Sequence, residues 1–339
     1  MTTSFIAPLH AWGLIHASGP DAESFLHGQL TNDLLHLGAT TAQWNGYCTA
    51  KGRMLASFLV WRDGGDGFFL ATDNALTPAL TKRLRMFVLR AKAVIEDVSE
   101  AFACFGIARA VTGLDAATPA LAMSVARSDS AWHLALPPID GARRRLAYVP
   151  RGAAARFAAA QSLAASDAID WTRLMIHAGE AWITPATQEA FVPQMINFDA
   201  IGGINFKKGC YPGQEIVARA HYRGAVKRRM FRAHVEAEAQ AGAALFGASV
   251  GGQECGMIAL AAPGENGGSD VLAVVQMQAQ ADGVVRLGAA DGPVLTFGAL
   301  PYVIQTLDDM PAVAPAAGLK DTAEPVAATA PGTAAGTAA

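Results

Sequence analysis

Cysteine is scarce in this chain: Cys48, Cys104, Cys210 and Cys255 are the only four among 339 residues. They are scattered, with no CxxC pair, which argues against a disulfide framework and against a cluster or zinc site held by clustered thiolates. The eight histidines show no HExxH or HxxxH spacing, so no metal centre is expected. Walker A, GxSxG and strand-borne GxGxxG patterns are missing as well. No apolar run reaches the roughly 18 residues that a membrane helix needs. The first residues, MTTSFIAPLHAWGL, lack both the basic start of a secretory signal and the arginines of a transit peptide. A cytoplasmic protein is expected. Charged residues make up 16% and the net charge is −3, so no global field draws the chain to nucleic acid or anionic lipid.

What is present is a core-forming composition, 52% hydrophobic, at a length that suits two or three domains. Residues 12–19, WGLIHASG, read as a strand entering a turn. Ser18 and Asp21 then suit a capping box for a helix over 20–30, with Phe25, Leu26 and Leu30 on its buried face. Residues 47–72 read as two strands joined by RDGGDG, a strong hairpin signal. A helix follows over about 75–87, and AKAVIEDV (91–98) returns as a strand. Strands broken by single helices indicate an α+β sheet covered on one side.

Further strands are predicted at FACFGIAR, AWHLALP and RRLAYVP. An alanine-rich helix is predicted at RGAAARFAAAQSLAAS, and another over 170–182, DWTRLMIHAGEAW. From 226 the texture changes to short glycine-split strands, including VLAVVQMQAQ, which suggests a small barrel or sandwich. Residues 308–339 are rich in Ala, Pro, Thr and Gly and cannot bury a core; a disordered tail is expected.

One cysteine stands out. KKGCYPGQE (207–215) sets Cys210 beside Lys207 and Lys208, just before a turn that can start a helix at GQEIVAR. Cationic neighbours and a helix N-terminus both make a thiol more acidic and nucleophilic; an isolated cysteine is otherwise more often an inert packing residue. Residues 207–232 carry eight Lys or Arg against the single acid Glu215. Such a local basic patch suits phosphates, a polyglutamate tail or RNA, or is simply a solvated face. A glutamylated pteridine would need an aromatic shelf as well as cations. Trp12 and Trp171 open elements where they could serve as one, though core packing is the default for tryptophan.

FLHGQLTND (25–33), AKGRML (50–55), LRMFVLRAKAVI (84–95), FVPQMINFDAIGGINFKKGCYPGQEIVARAHYRG (191–224) and LPY (300–302) together resemble the YgfZ family, over residues 8–305. These are folate-binding, tRNA-modification-linked proteins related to the glycine-cleavage aminomethyltransferase. The resemblance implies an α+β, three-lobed, aminomethyltransferase-like arrangement: two intertwined lobes over 1–225 and a C-terminal small β-barrel over 226–307. It also implies tetrahydrofolate as cofactor and iron–sulfur enzymes, including tRNA-thiolating ones, as partners, with no strong direct nucleic-acid binding. Trp12 and Trp171 match the tryptophans flanking the folate site. Gln194, Asn197 and Arg219 fall in motif blocks and are carried over as cofactor-binding, with Cys210 and Lys208 as candidate catalytic groups. The enzyme branch has an aspartate just after the glycine matching Gly52, whereas this chain has no acid until Asp63. General acid–base help of roughly 10²–10⁴-fold would then be missing. Folate binding without aminomethyl transfer is the expectation, with a one-carbon transferase and a direct tRNA-binding module as alternatives.

Overall fold

Three twisted sheets carry the molecule, and the chain enters the second before it builds the first. The computed structural model describes residues 4–111, 123–128, 131–222 and 226–304. All of them lie in one compact unit, Met1–Ile304. The expected tail (308–339) and the expected 225/226 boundary fall on or beside residues outside that description.

Strand β1 (Phe5–Pro8) belongs to the second sheet. The first sheet then forms from β2 (Trp12–Ser18), β3 (Ala42–Cys48), β4 (Met54–Arg62), β5 (Phe68–Asp73) and β6 (Val94–Asp97), in spatial order β3-β4-β5-β2-β6. Helices α1 (Ala22–His27) and α2 (Thr77–Val88) interrupt it. The expected hairpin is the antiparallel β4–β5 pair, Arg62 opposite Phe68. Asp63 closes its loop by accepting the backbone N–H groups of Gly65 and Gly67. The expected capping box does not form. Ser18 ends β2, and the Asp21 carboxylate instead accepts the Lys92 N–H across the sheet (2.6 Å), a tertiary contact that outcompetes the local cap.

The second sheet adds β7 (Phe102–Ala110), β8 (Val125–Ser128), β9 (Ala131–Ile139), β10 (Ala142–Pro150) and the short β11 (Ala164–Ala165), in order β11-β1-β7-β10-β9-β8. The alanine-rich helix is only α3 (Ala154–Ala160). Helix α4 (Ala168–His177) is capped by Asp167, whose side chain accepts the Ile169 N–H. It stops earlier than the predicted residue 182, because Gly179 turns at φ +65° against Tyr302.

Helix α5 (Gln214–Tyr222) leads into the third sheet: β12 (Arg228–Val235), β13 (Ala244–Gly247), β14 (Gln253–Pro263), β15 (Ser269–Gln276), then α6 (Met277–Ala281), β16 (Val285–Leu287) and β17 (Leu295–Gly298). The second half of VLAVVQMQAQ is thus helical, and β13 is a strand that the glycine-rich pattern hides. The sheet runs β16-β13-β14-β15-β12-β17 and curls until an Arg286–Val294 bridge links its two edges, the barrel-like closure that the repeated short strands imply. Met230, Ala259, Leu272 and Val274 of this sheet share a core with Trp171, Leu174 and Met175 of α4 and with the first two sheets. Beneath α4, Arg144 of β10 forms a fully buried double hydrogen bond to Glu180 (2.7 and 2.8 Å).

Candidate functional site

Residues 202–213 form a loop docked on the exit of α1. Thr31 Oγ donates to the Gly203 carbonyl (2.6 Å), Asn32 Nδ2 donates to Gly202 O (2.7 Å), and the Asn205 N–H donates to Thr31 O (3.0 Å). The same Thr31 Oγ accepts the Gly46 N–H, so strand β3 and the loop share one hydroxyl. Further along, Gly213 turns at φ +83° over the β3–β4 turn. A Cβ there would lie 2.4 Å from Thr49 O and 2.7 Å from Gly52, so only glycine fits.

Between these anchors sits Lys208, buried although charged. Its Nζ donates to the carbonyls of His27 and Leu30 (2.7 Å to Leu30) at the C-terminal end of α1, where a cation is favoured. The ammonium lies 4.9 Å from the Tyr211 ring centre. Burial brings its pKa down from 10.5 to about 8, while the charges of Asp33 and Cys210 work to keep it protonated. The half-buried His27 imidazole is pushed below its ordinary value by burial and then by the Lys208 charge. Burial raises the Asp33 carboxyl, but the His36 hydrogen bond and charge and the Leu35 N–H outweigh it and hold the carboxyl below its ordinary range. His27, Asp33, Lys208 and Cys210 therefore form one electrostatically linked group. FLHGQLTND already contained two of its members; what the sequence lacked was any spacing that ties residues 27 and 33 to 208.

Cys210 is exposed, whereas Cys48, Cys104 and Cys255 are buried. Burial pushes the Cys48 thiol up to about 12 and raises Cys104 and Cys255 as well. Cys210 precedes α5 by four residues, with Tyr211–Gly213 in between, so the helix dipole acts on it less directly than the sequence suggests. Its cationic neighbour is Lys208.

The other expected site residues divide. Gln194 and Asn197 are fully buried and brace the interior. Gln194 Nε2 donates to Val217 O of α5 (2.6 Å), leaving its Oε1 without a partner. Asn197, left-handed at φ +59°, donates to Met230 O (2.8 Å) and meets the Tyr302 hydroxyl. Beside them the buried Arg229 guanidinium grips the Asp199 carboxylate at 2.7 and 2.8 Å and donates to Gln194 O. Arg219 is exposed on α5, whose next turn carries His221 stacked on Phe206 (3.8 Å, 13°) and the exposed Tyr222. Trp12 is half-buried, its ring 4.2 Å from Trp182, which in turn meets Trp44. Trp171, by contrast, is 0% exposed and pressed against Gly106, where a Cβ would come within 2.5 Å of its ring. Trp12 and Trp171 thus occupy different surroundings; Trp12's ring partner is Trp182, which packs in turn on Trp44, and sequence reasoning passed over both. After Gly52 comes Arg53, whose guanidinium donates to Ala190 O (2.6 Å), so the turn presents no carboxylate at that position.

Among the described residues no group of His, Cys, Asp and Glu side chains is arranged to hold a metal ion, and no helix is long and apolar enough to cross a membrane. No family model matches the chain. It is 33% identical over 314 residues to the tRNA-modifying protein YgfZ of Edwardsiella ictaluri, covering 87% of this chain and 91% of that protein. It is 33% identical over 237 residues to the protein of the same name from Klebsiella pneumoniae, covering 66% of this chain and 69% of that one. Among solved structures, the glycine cleavage system aminomethyltransferase T from Bartonella henselae superposes with a TM-score of 0.68 at 16% identity, over 90% of this chain and 88% of that one. That likeness shows the fold.

Proposed function

The chain belongs to the YgfZ family, and on that premise we propose that it is a tetrahydrofolate-binding accessory protein that supports iron–sulfur enzymes, among them those that modify tRNA. The names of the relatives support the tRNA-modification role, and the aminomethyltransferase-like fold supports a folate ligand. One observation carries the working site: the exposed thiol of Cys210 shares an electrostatic environment with Lys208, an ammonium whose pKa is brought to about 8. An ammonium favours the thiolate, the form that attacks electrophiles and binds soft metals. With its pKa brought to about 8, Lys208 can also hold or release a proton within the charged group that includes Cys210.

The residues present fit a folate in part. Trp12 offers a half-buried ring beside Trp182, whose indole N–H has no hydrogen-bond partner, and the Gln194 Oε1 is likewise unpartnered. Arg219 offers an exposed cation for a glutamate tail. When bound, tetrahydrofolate supplies amine nitrogens that carry or accept one-carbon units. Trp171, sealed in the core, contributes to such a site only through the packing it supports. With Arg53 in place of an acid, aminomethyl transfer is disfavoured, which leaves ligand binding and thiol chemistry.

The test is complementation. Cys210→Ser should fold, retain tetrahydrofolate-dependent quenching of tryptophan fluorescence, and fail to restore tRNA thiolation in cells lacking the protein. Full restoration by that variant would overturn the assignment of the thiol. Trp12→Ala should weaken folate binding by roughly 1 kcal/mol, and unchanged affinity would return Trp12 to a packing role.

A further inference from the structure

The triple arginine Arg143–Arg144–Arg145 on β10 splits across the second sheet. Arg144 points into the core and is neutralised by Glu180. Arg143 and Arg145 share the opposite face with Arg109 of β7, and the register sets Arg143 directly across from Arg109. Like charges facing each other across a strand pair are destabilising. The half-buried Arg145 guanidinium is held below its ordinary pKa by burial and by Arg109.

Helix α3 covers only part of this face. Its Phe157 packs on Phe105, Ala147 and Val149 at one end, and the chain leaves at Gln161. The Gln161 carbonyl accepts one N–H of Arg109 (3.2 Å) and its side-chain oxygen accepts one from Arg145 (3.0 Å). These neutral acceptors are the hydrogen-bond partners of both guanidiniums, each of which has five N–H donors. No carboxylate pairs with Arg109 or Arg145 among the described residues. A cavity of about 200 Å³ lies at these strands, lined by Ile107, Ala135, Leu136 and Pro138 together with Arg109 and the arginines of β10.

We propose that this cavity binds a small phosphate monoester, its dianion taken by Arg109 and Arg145 and its organic part resting on the apolar side chains. Guanidinium forks match phosphate oxygens bidentately, and two of them balance a doubly charged group. The volume suits one phosphate with a small substituent. A nucleic-acid backbone, bound through many phosphates spread along a surface, has no such cationic row here.

The full-length protein is titrated calorimetrically with inorganic phosphate, glycerol 3-phosphate, glycerol, and a 12-nucleotide RNA lacking terminal phosphates. Glycerol 3-phosphate and phosphate should bind, glycerol should not, and R109Q/R145Q should weaken binding at least tenfold while R156Q, on the exposed side of α3, leaves it unchanged. R109K/R145K, which keeps the charge but loses the forks, should fall between. Hydrogen exchange of the unmutated protein should show phosphate-dependent protection confined to 107–110 and 142–146, a readout independent of how the variants fold. Absent binding, equal affinity in R109Q/R145Q, protection elsewhere, or tighter binding of the RNA than of glycerol 3-phosphate would each overturn the proposal.

Discussion

Two buried cations less than 25 residues apart in sequence are handled in opposite ways. Arg229 sits in the interior brace, doubly hydrogen-bonded to Asp199 and to Gln194 O, a permanent charge with a dedicated counter-ion. Lys208, in the loop on α1, has two main-chain carbonyls as its acceptors among the described residues and lies over the Tyr211 ring, with Asp33 and Cys210 acting on it through their charges. A guanidinium cannot lose its proton in a protein, whereas a lysine deprived of a direct carboxylate can. The brace is built for rigidity and the loop for titration. That difference separates the buried polar residues that hold α5 and β12 in place from those that surround the exposed thiol.

Breaking the brace should have the largest effect. Asp199→Ala leaves Arg229 buried without its counter-ion and should cost about 3–5 kcal/mol in urea unfolding. A loss below about 1 kcal/mol would mean that the two cations differ less than the geometry implies. Asn197→Ala removes the bonds to Met230 and Tyr302 and places alanine at positive φ, for an expected loss of about 1–3 kcal/mol.

A smaller effect, and a sharper one, comes from pH. The folded-state pKa of Lys208 is lowered to about 8 from 10.5. Between those values the unfolded chain binds more protons than the folded one, so stability rises with pH across that window. The stability of the unmutated protein relative to Lys208→Met should therefore increase from pH 8 to 10.5 and be flat below about pH 7. A parallel pair of curves would show that Lys208 is not held as the loop suggests.

Elements whose signals are local were legible in the sequence: the RDGGDG hairpin, helix α2, strands β7, β9 and β10 of the second sheet and the start of α5 at Gln214, whereas β1, β8 and the two-residue β11 were not. Misreadings arose where a distant partner overrode a local preference. Asp21 gave up the cap of α1 for Lys92 of the neighbouring segment, and Gly179 ended α4 because Tyr302 packs against it. Cys210 and Lys208 could be picked out from their own neighbours in the chain. His27 and Asp33 could not be joined to them, since a separation of about 180 residues carries no periodicity. The contrast between Trp12 and Trp171 was equally invisible: both open apolar elements, and it is tertiary packing, against Gly106 and the shared core, that buries Trp171 fully.

The claim that Cys210 and Lys208 work as a coupled pair is tested most directly by the pH dependence of Cys210 alkylation, followed by peptide mass spectrometry in the unmutated protein and in Lys208→Met. Cys210 should react at least tenfold faster than Cys48, Cys104 or Cys255, because an exposed thiol meets the reagent and buried ones do not. At pH 7 the unmutated protein should react faster than Lys208→Met, and the two profiles should converge as the lysine loses its proton above about pH 8. Superimposable profiles, or a Cys210 no faster than the buried cysteines, would show that the thiol and the ammonium act independently.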